Sequence, residues 1–165
     1  MSTLAVTSLK NEASASNNIV LNTDGTVTLS GSISGAVNFS DAVTFGSTST
    51  FSGVVTAEAG AVAAIDTLTD GATITPDLAS GCNFAVTLGG NRTLANPSNI
   101  TAGQSGSIFI VQDGTGSRTL SWGSYWDFPG GTAPTLTTTS GAVDRVDYVV
   151  RSTTSIHTVF TANYS

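Results

Sequence analysis

Apolar and polar residues alternate with a period of two along most of the second half of the chain. The segments NFAVTL, GSIFIVQ, SRTLSW, PTLTTT, DRVDYVVR and SIHTVFTA lie between turn signals at Asp70-Gly71, Gly89-Gly90, Asp113-Gly114, Gly130-Gly131 and Ser140-Gly141. That rhythm belongs to strands, whose successive side chains point to opposite faces. In RVDYVVR it places Val146, Tyr148 and Val150 on one face and Arg145, Asp147, Val149 and Arg151 on the other, so Arg145 and Asp147 can pair side by side in water. Short strands at roughly ten-residue spacing predict two packed sheets, a β-sandwich or jelly-roll-like head over residues 66–165.

The first part, residues 1–65, is different material. Every proline, tryptophan and tyrosine lies beyond Asp66. NNIVLNTDGTVTLSG has Asp24-Gly25 between two apolar runs and predicts a hairpin. From Ala36 to Ala59 the chain divides into sixes, AVNFSD, AVTFGS, TSTFSG and VVTAEA, with Phe39, Phe45 and Phe51 recurring at one place and Val37, Val43 and Val55 at another. Asp41, Gly46-Ser47 and Gly53 punctuate the groups, which suits either a repetitive β stalk or hairpins. AEAGAVAAID, near the boundary, is the one candidate for a short helix, weakened by Gly60.

A lone stalk of this kind buries too little to offset a backbone ordering cost of about 1–2 kcal/mol per residue. Packing the Val37, Phe39, Val43, Phe45, Phe51 and Val55 column against two further copies solves this, since each buried Phe contributes about 1.5–3 kcal/mol. The expectation is therefore an all-β homotrimer with a stalk followed by a head.

Composition narrows the chemistry. Ser, Thr and Gly supply 22, 27 and 18 of the 165 residues, and only 10% are charged. One Lys and two Glu cannot cover the outer face of a long exposed helix, which excludes bundles and coiled coils. The net charge of -6 repels phosphate backbones, so nucleic acid is not an expected partner. No apolar run is long enough to predict membrane insertion, and the N-terminus lacks the pattern of a secretory signal, so synthesis in a cytoplasm is expected. One cysteine, Cys82, and one histidine, His157, leave no basis for a disulfide within the chain, a metal site or a cofactor.

The same poverty argues against catalysis. His157 alternates with Val159 and Thr161 and reads as a sheet-face or subunit-contact residue, and Cys82 as a small packed side chain. The nearest carboxylate pair, Asp144 and Asp147, is three apart and faces opposite sides of a strand, unlike a glycosidase pair. Asp24, Asp70 and Asp113 each precede glycine, where turn geometry accounts for them. The densest feature is SWGSYWDFPGG, Ser121 to Gly131. Its Trp122, Tyr125, Trp126 and Asp127 form either a loop anchored in the core or subunit contact, or a surface that stacks on sugar rings and takes their hydroxyls.

TLGGNRTLANP, Thr87 to Pro97; GQSGSIFIVQDGTGSRTL, Gly103 to Leu120; and GGTAPTLTTTSGAVD, Gly130 to Asp144, carry a resemblance. The surrounding stretch of about 90 residues resembles a module found at the C-terminal ends of tail-fibre and other virion proteins of marine phages and prophages. The opening MSTLAVTSLKNEASASNNIVLNTDGTV also looks like the start of short fibre-like proteins of such phages. The resemblance implies an exposed, commonly trimeric virion component and supplies no active site. At 165 residues a short spike, a tail or baseplate accessory or a capsid decoration protein is expected, rather than a long-reach fibre. Its partners would be its own copies and other virion proteins. Leu4, Val6 and Leu9 are expected to provide apolar contacts for attachment to the particle, as a strand added to a partner's sheet edge. The alternative expectation is a lectin-like head that contacts host surface glycans.

Overall fold

A computed structural model of the chain describes residues 8–9, 19–21, 23, 27–29, 43–45 and 49–164. The chain divides into two compact units, Met1–Val55 and Thr56–Ser165. The described residues are essentially all-β.

In the first unit, strands β1 (Ser8–Leu9), β2 (Ile19–Leu21) and β3 (Val27–Leu29) form an antiparallel sheet in chain order. Leu21 pairs with Val27, so the expected hairpin spans the Asp24-Gly25 position. The backbone of Leu9 pairs with Ile19 of its own chain, whereas Leu4 and Val6 lie outside the described residues. Val37 and Phe39 also lie outside them. No described residue between Ala36 and Ala59 is in a strand. A strand needs a partner for its backbone groups, and no described residue supplies one here. The Ala-rich AEAGAVAAID segment is not helical either, and its last residues, Ile65 and Asp66, open a strand. Gly60 and exposure to water on all sides leave a helix there with nothing to pack against.

The second unit contains β4 (Ile65–Thr67), β5 (Thr73–Ile74), β6 (Asn83–Leu88), β7 (Arg92–Leu94), β8 (Ser105–Gln112), β9 (Leu120–Trp122), β10 (Trp126–Asp127), β11 (Val143–Ser152) and β12 (Ser155–Thr161). Six of them form one sheet in the order β10-β12-β11-β8-β6-β4, and β5-β7-β9 form another. From β4 to β9 the chain alternates between the two sheets. On each return it lies parallel beside the strand it left two elements earlier. The result is a coil of three turns, in place of the antiparallel Greek keys of a jelly roll. Each turn needs the next to bury its apolar face, as in other stacked-repeat proteins.

Inward residues form columns across the turns. Ile108 lies between Phe84 and Val146, Val86 beside Ile110, and Ile74 beside Leu94. All seven are buried in one cluster contributed by both sheets. The antiparallel pair β11 and β12 extends the larger sheet and buries Tyr148, Val150 and Ile156. The expected faces of RVDYVVR are observed, and Arg145 meets Asp147 at 2.8 Å on the outer side.

PTLTTT forms no strand. Pro134 has no N–H to give a ladder, and the backbone of this segment bonds elsewhere: the Thr137 N–H donates to the buried Asp144 carboxylate at 2.7 Å, and the Thr138 carbonyl accepts from Ser117.

Candidate functional site

The aromatic stretch crosses the end of the coil, and strand alternation decides which side chains turn inward. Trp126 points into the core and is 5% exposed. Its indole N–H donates to the Ala95 carbonyl at 3.0 Å, and its ring meets Tyr148 edge-on at 6.2 Å. It has no free face to offer a sugar, which corrects the expectation for this residue. Trp122 and Tyr125 are half-buried against the same cluster. Trp122 contacts Trp126 at 6.3 Å and Phe128 at 4.8 Å, both edge-to-face. Its buried indole N–H finds no partner among the described residues.

The turn before β10 is fixed by Asn96. The Asn96 Oδ1 accepts from the Tyr125 N–H at 2.9 Å, and its Nδ2 donates to Ser124 at 3.2 Å. A side chain at Gly123 would stand 2.4 Å from that Oδ1, so only glycine fits.

Asp127 turns the opposite way, to the outer face. There it lies in register with His157 of the parallel neighbour β12. The Ser155 hydroxyl donates to Asp127 Oδ2 at 2.6 Å. The Thr158 hydroxyl donates to the Asp127 backbone carbonyl at 2.8 Å, which fixes β10 against β12. Asp127, Phe128, Pro129, His157, Thr158 and Val159 line a groove of about 360 Å³. Pro129 opens a short 3₁₀ turn, Pro129–Gly131, with Gly130 and Gly131 at φ of 73° and 71°. Serine, carboxylate and imidazole thus share one surface, yet the serine hydrogen bond goes to the carboxylate. Nucleophilic catalysis would require it to go to the imidazole.

A broader concavity of about 800 Å³ lies along the uncovered edge of the first turn, where Asp66, Asp70 and Asp77 gather. Two of these carboxylates have structural work. Asp70 holds Arg92 through two hydrogen bonds of 2.6 and 2.8 Å, and this guanidinium, as the leading cause, lowers the Asp70 pKa. Asp77 accepts from the Asn99 amide and the Ala79 N–H, and the Asn99 contact leads in lowering its pKa. Among the described residues no group of three His, Cys, Asp or Glu is placed to hold a metal ion. Among the described residues no helix is long and apolar enough to cross a membrane. Asp144 is buried inside the core and Asp147 lies outside, the opposed arrangement predicted by their spacing.

In the upstream tract, Phe45 and Phe51 touch edge-to-face at 6.3 Å, but each stays 62% exposed. Val43, Val54 and Val55 are exposed as well. The column expected to pack across three copies is therefore uncovered, at its described positions, in one copy.

No protein-family model matches the chain, and neither the curated proteins nor the solved structures contain a significant match to it.

Proposed function

We propose that the protein is a non-enzymatic bacteriophage virion structural protein, a short trimeric fibre, spike or capsid decoration protein displayed on the particle surface. One observation carries this reading: Val43, Phe45, Phe51, Val54 and Val55 of the upstream tract all stand exposed in a single copy. Exposed aromatic rings in a contiguous run mark a surface meant to be covered. A second copy of the same tract, repeated about a threefold axis, covers it with like side chains and lends its backbone groups a strand partner.

The head contributes rigidity. Its coil and hairpin hold their shape by burial and by paired ions. The resemblance of residues 70–160 to virion modules supports a place on the particle surface.

The reading is tested by the mass of the purified full chain in solution, measured by light scattering, and by its presence in assembled particles. Three chains per molecule and incorporation into particles are the expected results. A well-ordered single chain, or a protein absent from particles, would overturn it.

A further inference from the structure

The groove between β10 and β12 combines features that a core-packing loop has no need of. Phe128 and Pro129 contribute two adjoining apolar surfaces to its lining. Phe128 is already braced by Trp122 at 4.8 Å, so a molecule stacked on it would meet a ring that is in place before binding. Its rim carries the Asp127 carboxylate and the His157 imidazole on one outward face, in neighbouring strands and in register. Ser155 occupies only Oδ2 of the carboxylate, and Oδ1 accepts nothing among the described residues.

We infer that this groove binds a neutral polysaccharide, with the apolar face of one pyranose on Phe128 and Pro129 and its hydroxyls shared between Asp127 and His157. An apolar floor with a few convergent polar groups is the arrangement that orients such a ring. A carboxylate accepts hydrogen bonds from adjacent hydroxyls, and the imidazole can donate or accept. The charge excludes acidic glycans, because Asp127 and a chain of net charge -6 repel uronate and sulfate groups.

A polymer suits the site better than a free monosaccharide. The volume is at the lower end for a ligand pocket, room for about one or two rings. Val159 lines it, and Val149, the β11 partner of His157, continues its surface; both are more than half exposed on the same outer face. The sugar site is thus displaced from the tryptophans that the sequence suggests to the outer side of the same stretch.

The experiment uses the full chain against an immobilised panel of neutral oligosaccharides of glucose, galactose, mannose and N-acetylglucosamine, with uronate and sulfated glycans alongside. At least one neutral glycan is expected to bind. Asp127→Asn and His157→Gln should each weaken it by about tenfold with an unchanged melting temperature. Phe128→Leu, which keeps apolar bulk but removes the ring face, should do the same. Binding that survives the Asp127→Asn, His157→Gln double variant, a preference for acidic glycans, or no neutral glycan bound would overturn the assignment. A partner protein captured through the same residues in the absence of glycan binding would also overturn it. The oligomeric mass is measured on the same samples, so loss of this site and loss of the structural reading are separately visible.

Discussion

The Tyr148 hydroxyl donates to the Cys82 backbone carbonyl at 2.8 Å across the gap left by Gly106, the residue paired with Tyr148 on the neighbouring strand. A Cβ on Gly106 would stand 1.6 Å from that carbonyl oxygen. Glycine therefore lets the approach to β6 pass close against β8, and the tyrosine fills the inward space that the missing side chain leaves. Tyr148→Phe should cost about 0.5–1.5 kcal/mol, the net worth of one hydrogen bond, because Ser107 still donates to the same carbonyl. Gly106→Ala should cost more than about 3 kcal/mol, since the obstacle is backbone and cannot swing aside. Urea denaturation of both variants checks the ordering.

Burial, with a smaller contribution from Cys82, pushes the Tyr148 hydroxyl from 10.0 up to about 12. A tyrosine held protonated in the folded chain favours folding fully below pH 10. That contribution is lost as the pH rises from 10 towards 12, because the unfolded chain releases its proton first. Stability should fall over that window in the parent protein and fall less in Tyr148→Phe, as followed by denaturation at stepped alkaline pH.

At the acid end the corresponding group is Asp113. Its carboxylate accepts from the Arg118 guanidinium and from the N–H groups of Thr115 and Gly116, and it titrates at about 2 with the Arg118 hydrogen bonds as the leading cause. A depressed carboxyl pKa stabilises the fold above the unfolded value of 3.8 and ceases to do so as pH falls through about 2. Arg118→Met should thus lower the melting temperature at pH 6, and its deficit against the parent should shrink between pH 4 and pH 2.

Asp144 is a buried carboxylate that accepts from two backbone N–H groups, Thr137 at 2.7 Å and Asn163 at 2.8 Å. It pins both the irregular 132–140 segment and the end of the chain to β11. Asp144→Ala should cost about 2–4 kcal/mol by leaving both donors without their charged partner, and Asp144→Asn, which keeps one acceptor oxygen, about half of that. Chemical denaturation gives the magnitudes. Hydrogen exchange at Thr137 and Asn163 should rise in the alanine variant before the rest of the sheet opens.

If the exposed phenylalanines are covered by sister chains, replacing both Phe45 and Phe51 with Ser should reduce the mass in solution to that of one chain while leaving the spectrum of the head intact. Deleting residues 1–18 should have the complementary result: the oligomer persists but no longer joins particles. Light scattering and particle sedimentation distinguish the two.

The longer strands were legible because they repeat the period-two rule over many residues, and Val143–Ser152 and Ser155–Thr161 follow it almost without exception. Strands β4, β5, β7 and β10 were not, because two or three residues are too few to establish a period. The parallel coil was hidden for another reason: which sheet a strand joins depends on the path of its connections, while alternation records only which face is buried. The aromatic stretch announced itself by composition, but composition does not say which rings turn inward. Alternation across Trp126 and Asp127 was the available signal for that. His157 reaches Asp127 only through the parallel pairing of β10 with β12, 30 positions apart in the chain, and no local pattern joins them.

The coil also sets how the head answers a pull. β4 is an edge strand of three residues, held along one side only, and it heads a stack whose turns are bonded chiefly to their neighbours. Tension arriving from the N-terminal side meets that strand first and can peel the turns away in succession. β12, near the other terminus, is paired with β11 along its length and with β10 at Ile156 and His157, so a pull there first frees Thr161 to Thr158 from β11 and then meets two ladders at once. The second ladder at Ile156 and His157 is a hold that β4, paired with β6 alone, does not have.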